Sequence, residues 1–406
     1  MSQYIQTVYR YLETTYRGRV FRDEITKKFW EFYLTDEFEF NPKYFKFTGS
    51  WIDNNGRESI ISANLPDSVV RQAGKTVDEK TYQTIKDGVI NSIKRQAIIS
   101  EFQKEKRLDF FPEIINILVD SIIVAGGAKR GAPSKRATQP FAKSWGALNG
   151  AVERQNLQQI FFIQMEKIKA KNVFQFFFEN PTFVPPELLS FSTIMSRLMQ
   201  FQLPNELNYD KSFIIDRLNR ASKGLILLNI ISGIKKTNIQ LPKADLFIEK
   251  DTGVLYADCT PHNFLIRINP RPKNVMLNSF QHPKEILKQV QDDNKQNTLI
   301  IVDLETMGNF YLNFSLAYNL IYFLIHLPYL NAQPERKKII DEMEKLVTNK
   351  EIFHQSLLVC FLAHAGEVIE FSKSRTDQIL HKNLVDYNIV VAKKILSGAD
   401  VSEMLV

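Results

Sequence analysis

Apolar residues recur at two different spacings along this chain, and the switches between them lay out its elements. Residues 4–34 carry aromatics at helical spacing. "KYFKFTGSWIDNNGRESIISANLP" (43–66) places apolar runs on both sides of the turn-forming "DNNG" and predicts a β-hairpin. Residues 78–108 predict a long amphipathic helix, with Ile85, Val89, Ile93 and Ile99 among its apolar positions. "EIINILVDSIIV" (113–124) reads as a strand, and residues 157–178 as a buried strand, a short connection and a helix start. Residues 186–238 predict helix with a break near "LPNELNYD". "ADLFIEKDTGVLYAD" (244–258) predicts a second hairpin around "KDTG", and the chain from 310 onward reads as helical.

Strands therefore gather early and helices late, with a short β segment inside the helical half. That order predicts an α+β protein of two lobes. The expected divisions are an N-terminal helical segment at 1–42, a smaller β-containing lobe at 43–166 and a larger helical lobe at 167–406.

Two segments stand apart from this pattern. Residues 125–150, "AGGAKRGAPSKRATQPFAKSWGALNG", are rich in glycine, alanine, serine and cations and predict a loop or linker. Its flexible cations suit a polyanion, by counterion release. No aromatic interleaves the "AGGAKRGAPSKR" cations, which argues against single-stranded nucleic acid, and no specific nucleic-acid binding is expected. Residues 269–297 are polar, carry three prolines and separate the strand-like runs "NFLIRI" and "TLIIVDL". They read as an insertion into an otherwise tight hairpin, tolerated because lengthening a surface loop costs little. Their core resembles peptides translated from bacterial palindromic repeat elements.

Composition narrows the class further. A hydrophobic share of 44% with thirty phenylalanines fits a globular chain with a filled core rather than a disordered one. The net charge of +7 permits phosphorylated or acidic partners without requiring them. Two cysteines, Cys259 and Cys360, make neither a disulfide framework nor a cysteine-based zinc site, and the simpler expectation is a reducing, cytoplasmic setting. Residues 310–330 contain no Asp, Glu, Lys or Arg, but Asn313, Ser315, Asn319 and His326 favour a buried core helix over a membrane span. The six histidines show no metal-ligand spacing, His326 and His364 read as core residues, and no G-x-S-x-G motif is present.

The candidate chemistry lies in "VLYADCTPHNFLIRINP" (254–270) and "TLIIVDLETMG" (298–308). Phosphoryl transfer needs a carboxylate near the acceptor hydroxyl and oxygen ligands for Mg2+; kinases space the catalytic Asp and a metal-binding Asn five residues apart, with another Asp on a later strand. Asp258 and Asn263 have that spacing, and Asp303 ends the apolar run "TLIIV".

"YADCTPHNFLI" resembles the catalytic loop of the aminoglycoside phosphotransferase and choline kinase branch of the protein-kinase-like superfamily, H-G-D-x-x-P-G-N-[IFV]-L-[VI]. Asp258, Pro261, Asn263, Phe264, Leu265 and Ile266 match, and "IIVDLETMG" is similar to the metal-binding segment of the same branch. "IFFIQMEKIKAKNVFQFF" resembles the fifth strand and hinge, and "FSLAYNLIYFL" the buried helix after the metal loop. The resemblance covers about 157–330. It implies a two-lobed fold, Asp258 as catalytic base, Asn263, Asp303 and Glu305 as Mg2+ ligands, and Met165, Glu166 and Lys167 against the adenine of ATP.

The implied acceptor is a hydroxyl of a protein or small molecule, and delivery into a host cell as an effector kinase is a further expectation by analogy. Tyr256, Ala257 and His262 depart from the His, Gly and Gly of the pattern, and no strand lysine stands in a recognisable context among Lys46, Arg71, Lys75 and Lys143. Glu101 and Glu105 are the candidates for its helix partner. These departures keep two alternatives open: a kinase-shaped binding module without turnover, and an enzyme that transfers AMP.

Overall fold

The computed structural model describes residues 38–41, 46–52, 58–64, 95–96, 98–103, 105–106, 110–123, 157–179, 184–233, 239–267, 299–327, 333–372 and 378–396. The chain mixes helix and strand and divides into two compact units, Met1–Lys106 with Pro112–Ile168, and Arg107–Phe111 with Lys169–Val406.

The first unit is built on five antiparallel strands: β1 (Phe38–Asn41), β2 (Lys46–Ile52), β3 (Glu58–Asn64), β4 (Ile114–Ile123) and β5 (Leu157–Glu166), in the order β1-β2-β3-β5-β4. β2 and β3 pair from Lys46↔Asn64 to Ile52↔Glu58, the hairpin expected from the apolar runs around "DNNG". Residues 38–41, read with the N-terminal helical segment, instead form the outer strand, their "FEFN" alternation being that of a strand rather than a helix. β5 lies between β3 and β4, so it is paired on both edges; buried Gln164 donates from Nε2 to Ser59 Oγ at 3.0 Å. The helix expected over 78–108 is described at 95–96, 98–103 and 105–106, where Ile99 and Phe102 are buried. Residues 4–34, the loop 125–150 and the whole insertion 269–297 lie outside the described residues, as do Arg71, Lys75, Lys143 and the side chain of Lys46.

In the second unit, β6 (Ala170–Asn172) leads directly into α1 (Val173–Glu179). Then come α2 (Ser190–Met199), α3 (Ser212–Ser232), β7 (Thr252–Tyr256), β8 (Phe264–Arg267), β9 (Ile300–Ile301), β10 (Met307–Tyr311), α4 (Leu312–Leu324), α5 (Gln333–Glu344), α6 (Lys350–Ser372) and α7 (Gln378–Leu396). Gly233 ends α3 in the left-handed region (φ 72°), where a residue without Cβ is unstrained. β8 is flanked by β6 and β9, and β7 pairs only with β10.

α4 is the unit's spine: every residue from Asn313 to Leu324 is buried, and the helix packs against α6 and β7. No helix among the described residues is long and apolar enough to cross a membrane.

Three sequence expectations need correction here. Residues 244–258 do not fold into a local hairpin: Ala244–Phe247 form a 3-10 turn that buries Phe247, and β7 finds its partner in β10, about fifty residues on. Phe310 and Tyr311, the first residues of the run read as helical, are instead the end of strand β10 for the same reason. The third strand of the small sheet, β6, was hidden because three residues carry too little alternation to read.

Candidate active site

Two antiparallel pairings bring the candidate segments together. β7 and β10 pair from Tyr256↔Met307 to Thr252↔Tyr311, and β8 and β9 pair at Phe264↔Ile301 and Leu265↔Ile300. The loop 257–263 leaves β7 and enters β8, while the loop 302–306 leaves β9 and enters β10. The two loops are therefore neighbours, each closing the other's strands.

They are also stitched together directly. The Val302 amide donates to the Asn263 carbonyl at 2.9 Å, and the Ala257 amide donates to the Thr306 carbonyl at 3.1 Å. The Asp258 amide donates to Thr306 Oγ1 at 3.2 Å, and Tyr256 Oη donates to the Val302 carbonyl. Within the first loop, Asn263 Nδ2 donates to the Asp258 carbonyl at 3.0 Å and the Asn263 amide to the Thr260 carbonyl at 2.9 Å. Pro261 opens the short 3-10 turn Pro261–Asn263, where its missing N–H is no loss.

Asp303 adopts φ 63° and ψ 51°, the sole non-glycine residue at positive φ among the described residues. Aspartate tolerates this region better than most residues, yet an L side chain there stores on the order of 1 kcal/mol or more. The bonds on Val302 and Thr306 flank the strained residue and hold it. Such outliers gather at functional sites, and here the inference runs from the observed angle.

Asp258, Asn263 and Asp303 are all half-buried on these loops. A carbonyl can only accept, so the bond to Asp258 O fixes the Asn263 amide with Nδ2 inward and leaves Oδ1 as its oxygen donor. Asn263 Oδ1 and the Asp303 carboxylate are hard oxygen ligands, and Mg2+ is commonly held by one or two carboxylates with water and substrate phosphates. The donor set fits that ion. No group of three or more His, Cys, Asp or Glu that could hold a metal occurs among the described residues. Glu305 lies on the 3-10 turn Leu304–Thr306, and its side chain is outside the described residues.

The departures at Tyr256 and His262 have structural roles. Tyr256 is fully buried, its amide accepted by Asn319 Oδ1 at 2.9 Å and its hydroxyl on Val302. Asn319 also donates to the Val254 carbonyl at 2.9 Å, so a polar residue in the apolar helix α4 holds the end of β7. Tyr318, from the preceding position on α4, donates to the Ala257 carbonyl at 2.8 Å. Exposed His262 stacks on Phe174 at 4.1 Å. Cys259 is buried and its thiol is pushed well up by burial and then by Asp258, which makes it inert as a nucleophile.

Sequence reasoning missed Thr306 and Tyr209. Thr306 binds the amides of Ala257 and Asp258 at the start of the 257–263 loop, and its carbonyl also accepts from Tyr209 Oη at 2.6 Å. Only the position of Thr306 three residues past Asp303 hinted at it.

The expected adenine-binding residues lie at the end of β5, in the first unit. Met165 pairs with Ile60 and Ile114, the Glu166 amide donates to Glu113 O at 2.8 Å, and the Lys167 amide lies 3.4 Å from Glu58 O. Lys167 Nζ also pairs with Glu58 at 3.4 Å. The amides of Glu166 and Lys167 are thus already engaged in this unit. Glu101 and Glu105 are exposed, Glu105 beside Lys106 at 2.7 Å.

No protein-family model matches the chain, and no curated protein sequence matches it. Among solved structures, the chain is similar to an amicoumacin kinase in complex with AMP-PNP, Ca2+ and Ami, at 9% identity and a TM-score of 0.43, over 94% of this chain and 95% of that one. It is similar also to a choline/ethanolamine kinase family protein from Mesorhizobium loti, at 9% identity and a TM-score of 0.39, over 91% of this chain and 92% of that one.

Proposed function

We propose that this protein is an ATP- and Mg2+-dependent phosphotransferase that moves the γ-phosphoryl group to a hydroxyl of a small-molecule or protein acceptor. The observation that carries the reading is the interlock of the 257–263 and 302–306 loops around Asp258, Asn263 and the strained Asp303.

In the proposed reaction Asp258 accepts the proton of the acceptor hydroxyl as its oxygen attacks the γ-phosphorus. The bond from that phosphorus to the β–γ bridging oxygen breaks, and ADP leaves. Asn263 Oδ1 and Asp303, with Glu305 beside them in sequence, would hold Mg2+, which neutralises charge on the β- and γ-phosphates when bound. The β5 end, Met165–Lys167, is proposed to meet the adenine, through groups other than the engaged Glu166 and Lys167 amides. Tyr256 replaces a histidine brace with a tyrosine brace, so this departure does not argue against turnover.

The test is Asp303→Ala. Removing the carboxylate is expected to lower MgATP turnover at least about a hundredfold, or to abolish Mg2+-dependent nucleotide binding. Unchanged turnover and binding would remove Asp303 from the site. A binding module is the second reading, motivated by the engaged amides of Glu166 and Lys167. ATP-dependent thermal stabilisation without turnover over a broad acceptor panel selects it, and α- against γ-labelled ATP identifies AMP transfer.

A further inference from the structure

Beneath the candidate catalytic loop lies a connected set of ionisable and aromatic side chains that the proposed reaction does not use. His364 on α6 is buried, with Nε2 3.1 Å from His326 Nδ1 and Nδ1 3.3 Å from Glu367 Oε2. His326 Nδ1 lies also 3.1 Å from the Tyr322 carbonyl. Glu367 further accepts from Tyr322 Oη at 3.3 Å, is bonded by Arg220 Nη1 and lies 3.5 Å from Arg217 Nη1.

These contacts fix the protons. Burial opposes ionisation of Glu367, but the bond from His364, the charge of Arg217 and the Arg220 bond oppose burial and hold it below its ordinary value. Glu367 is therefore a carboxylate and can only accept, so His364 carries its proton on Nδ1 and offers the Nε2 lone pair to His326. His326 Nδ1 faces two acceptors, that lone pair and the Tyr322 carbonyl, so it must be the N–H. A second proton on His326 would enter at Nε2 and leave the contact intact. A second proton on His364 can enter only at Nε2, where it either confronts the His326 N–H at 3.1 Å or drives the His326 proton to Nε2, leaving the Nδ1 lone pair against the Tyr322 carbonyl. His364 is the group that decides.

The set reaches the loop by two routes. The His326 ring meets the His262 ring edge to face at 6.4 Å. Tyr322, stacked on His364 at 3.8 Å, stacks in turn on Tyr318 at 4.1 Å, and Tyr318 Oη holds the Ala257 carbonyl. The titratable and charged groups around His364 are Asp216, Arg217 and Arg220 from α3, Tyr318 and Tyr322 from α4 with His326 just beyond it, Cys360 and Glu367 from α6, and Asp258 and His262 from the loop.

We infer that His326 and His364 form a one-proton lock beneath the candidate catalytic loop, which positions the loop while His364 is neutral and releases it on acidification. The effect on phosphoryl transfer rests on the function proposed above; the lock itself does not. Burial, the largest influence, and Arg217 disfavour the charged form of His364, against Glu367 and Asp258, and the net direction is downward.

The decisive measurement uses the full chain with 15N-labelled histidine and long-range proton–nitrogen correlation, with His364→Gln and His326→Gln assigning the signals. At neutral pH His364 is expected as the neutral Nδ1–H tautomer and His326 as a proton donor at Nδ1; a proton on His364 Nε2 overturns the lock. Amide exchange at 257–263, corrected for intrinsic rates, is expected to speed by about tenfold in the wild type between pH 7.5 and about pH 5.5. In His364→Gln the exchange should be fast at both pH values. Equal protection in wild type and variant at both pH values overturns the proposal, and His326→Gln serves if the buried variant does not fold. Between pH 7.5 and about pH 5.5, above the range in which a catalytic carboxylate is protonated, MgATP turnover should fall in the wild type and stay level in His364→Gln, and an equal fall there also overturns it. If no turnover is found at all, the phosphotransferase reading fails while the tautomers and exchange still decide the lock.

Discussion

The residue that most defines the site is Asp303, because its left-handed backbone is unfavourable in isolation and must be imposed. The imposing bonds come from Val302 and Thr306, and one of them depends on the Tyr256 hydroxyl. Tyr256→Phe keeps the ring in its fully buried place and removes only that donor. The Val302 carbonyl then loses a partner, and a stability loss of about 1–2 kcal/mol by urea unfolding is expected, with weaker Mg2+-dependent nucleotide binding. Wild-type values for both would show that Asp303 is held without the tyrosine. Asp258 and Asn263 could be singled out as candidates only through their spacing taken together with the later "IIVDLETMG" run; Thr306 and Tyr209 could not, because their hydrogen bonds span about 48 and 97 residues and leave no local pattern.

Elements show where local pattern suffices and where it fails. β2–β3 was readable because its turn residues and alternation sit together, and α4 because a long, largely apolar stretch without charge has to be buried on every face. β7 was misassigned to a local hairpin because a strand's alternation says nothing of its partner. The crossing of α3 and α6 was equally silent. Gly224 and Gly366 meet there: a Cβ built on Gly224 would stand 2.0 Å from the Leu362 carbonyl oxygen, and one on Gly366 would stand 2.7 Å from Gly224 Cα. Helix propensity alone favours Gly→Ala by about 1 kcal/mol. The backbone contacts reverse that sign, and Gly366→Ala is expected to destabilise by roughly 1–3 kcal/mol in thermal unfolding, since the helices must move apart. A raised melting temperature would show that the crossing is looser than the structure has it.

At the scale of the whole molecule, the cluster of Glu367, Arg217, Arg220 and His364 ties α3, α4 and α6 of the second unit together and makes its stability depend on pH. Glu367 lies at about 2 in the fold, below its ordinary value, so the folded state binds this proton more weakly than the unfolded chain. Its contribution is complete above about pH 4.5 and is lost as pH falls through about 2, a total of on the order of 3 kcal/mol. His364 is shifted downward too, so stability is lost in the same direction, beginning below its ordinary value near 6.5. Equilibrium unfolding from pH 8 to pH 4 is expected to show stability falling with acid, and Glu367→Gln should lower it at pH 7 by removing the carboxylate that Arg217, Arg220 and His364 share. A flat profile for the wild type over that range would contradict the His364 shift, the Glu367 contribution being lost only at lower pH.

The sequence by itself determined the mixture of helix and strand, the buried character of α4, and the spacing of Asp258, Asn263 and the later Asp303. All of these follow from local periodicity and short-range geometry. The tertiary structure alone decided that the two loops interlock, that Asp303 sits at positive φ, that Tyr256 is a brace, and that two histidines far apart in sequence share one proton-defined contact. Those features are held by hydrogen bonds and backbone contacts between segments about 40 to 150 residues apart. Such partners are chosen by how apolar surfaces are buried across the whole unit, and no local spacing records that choice.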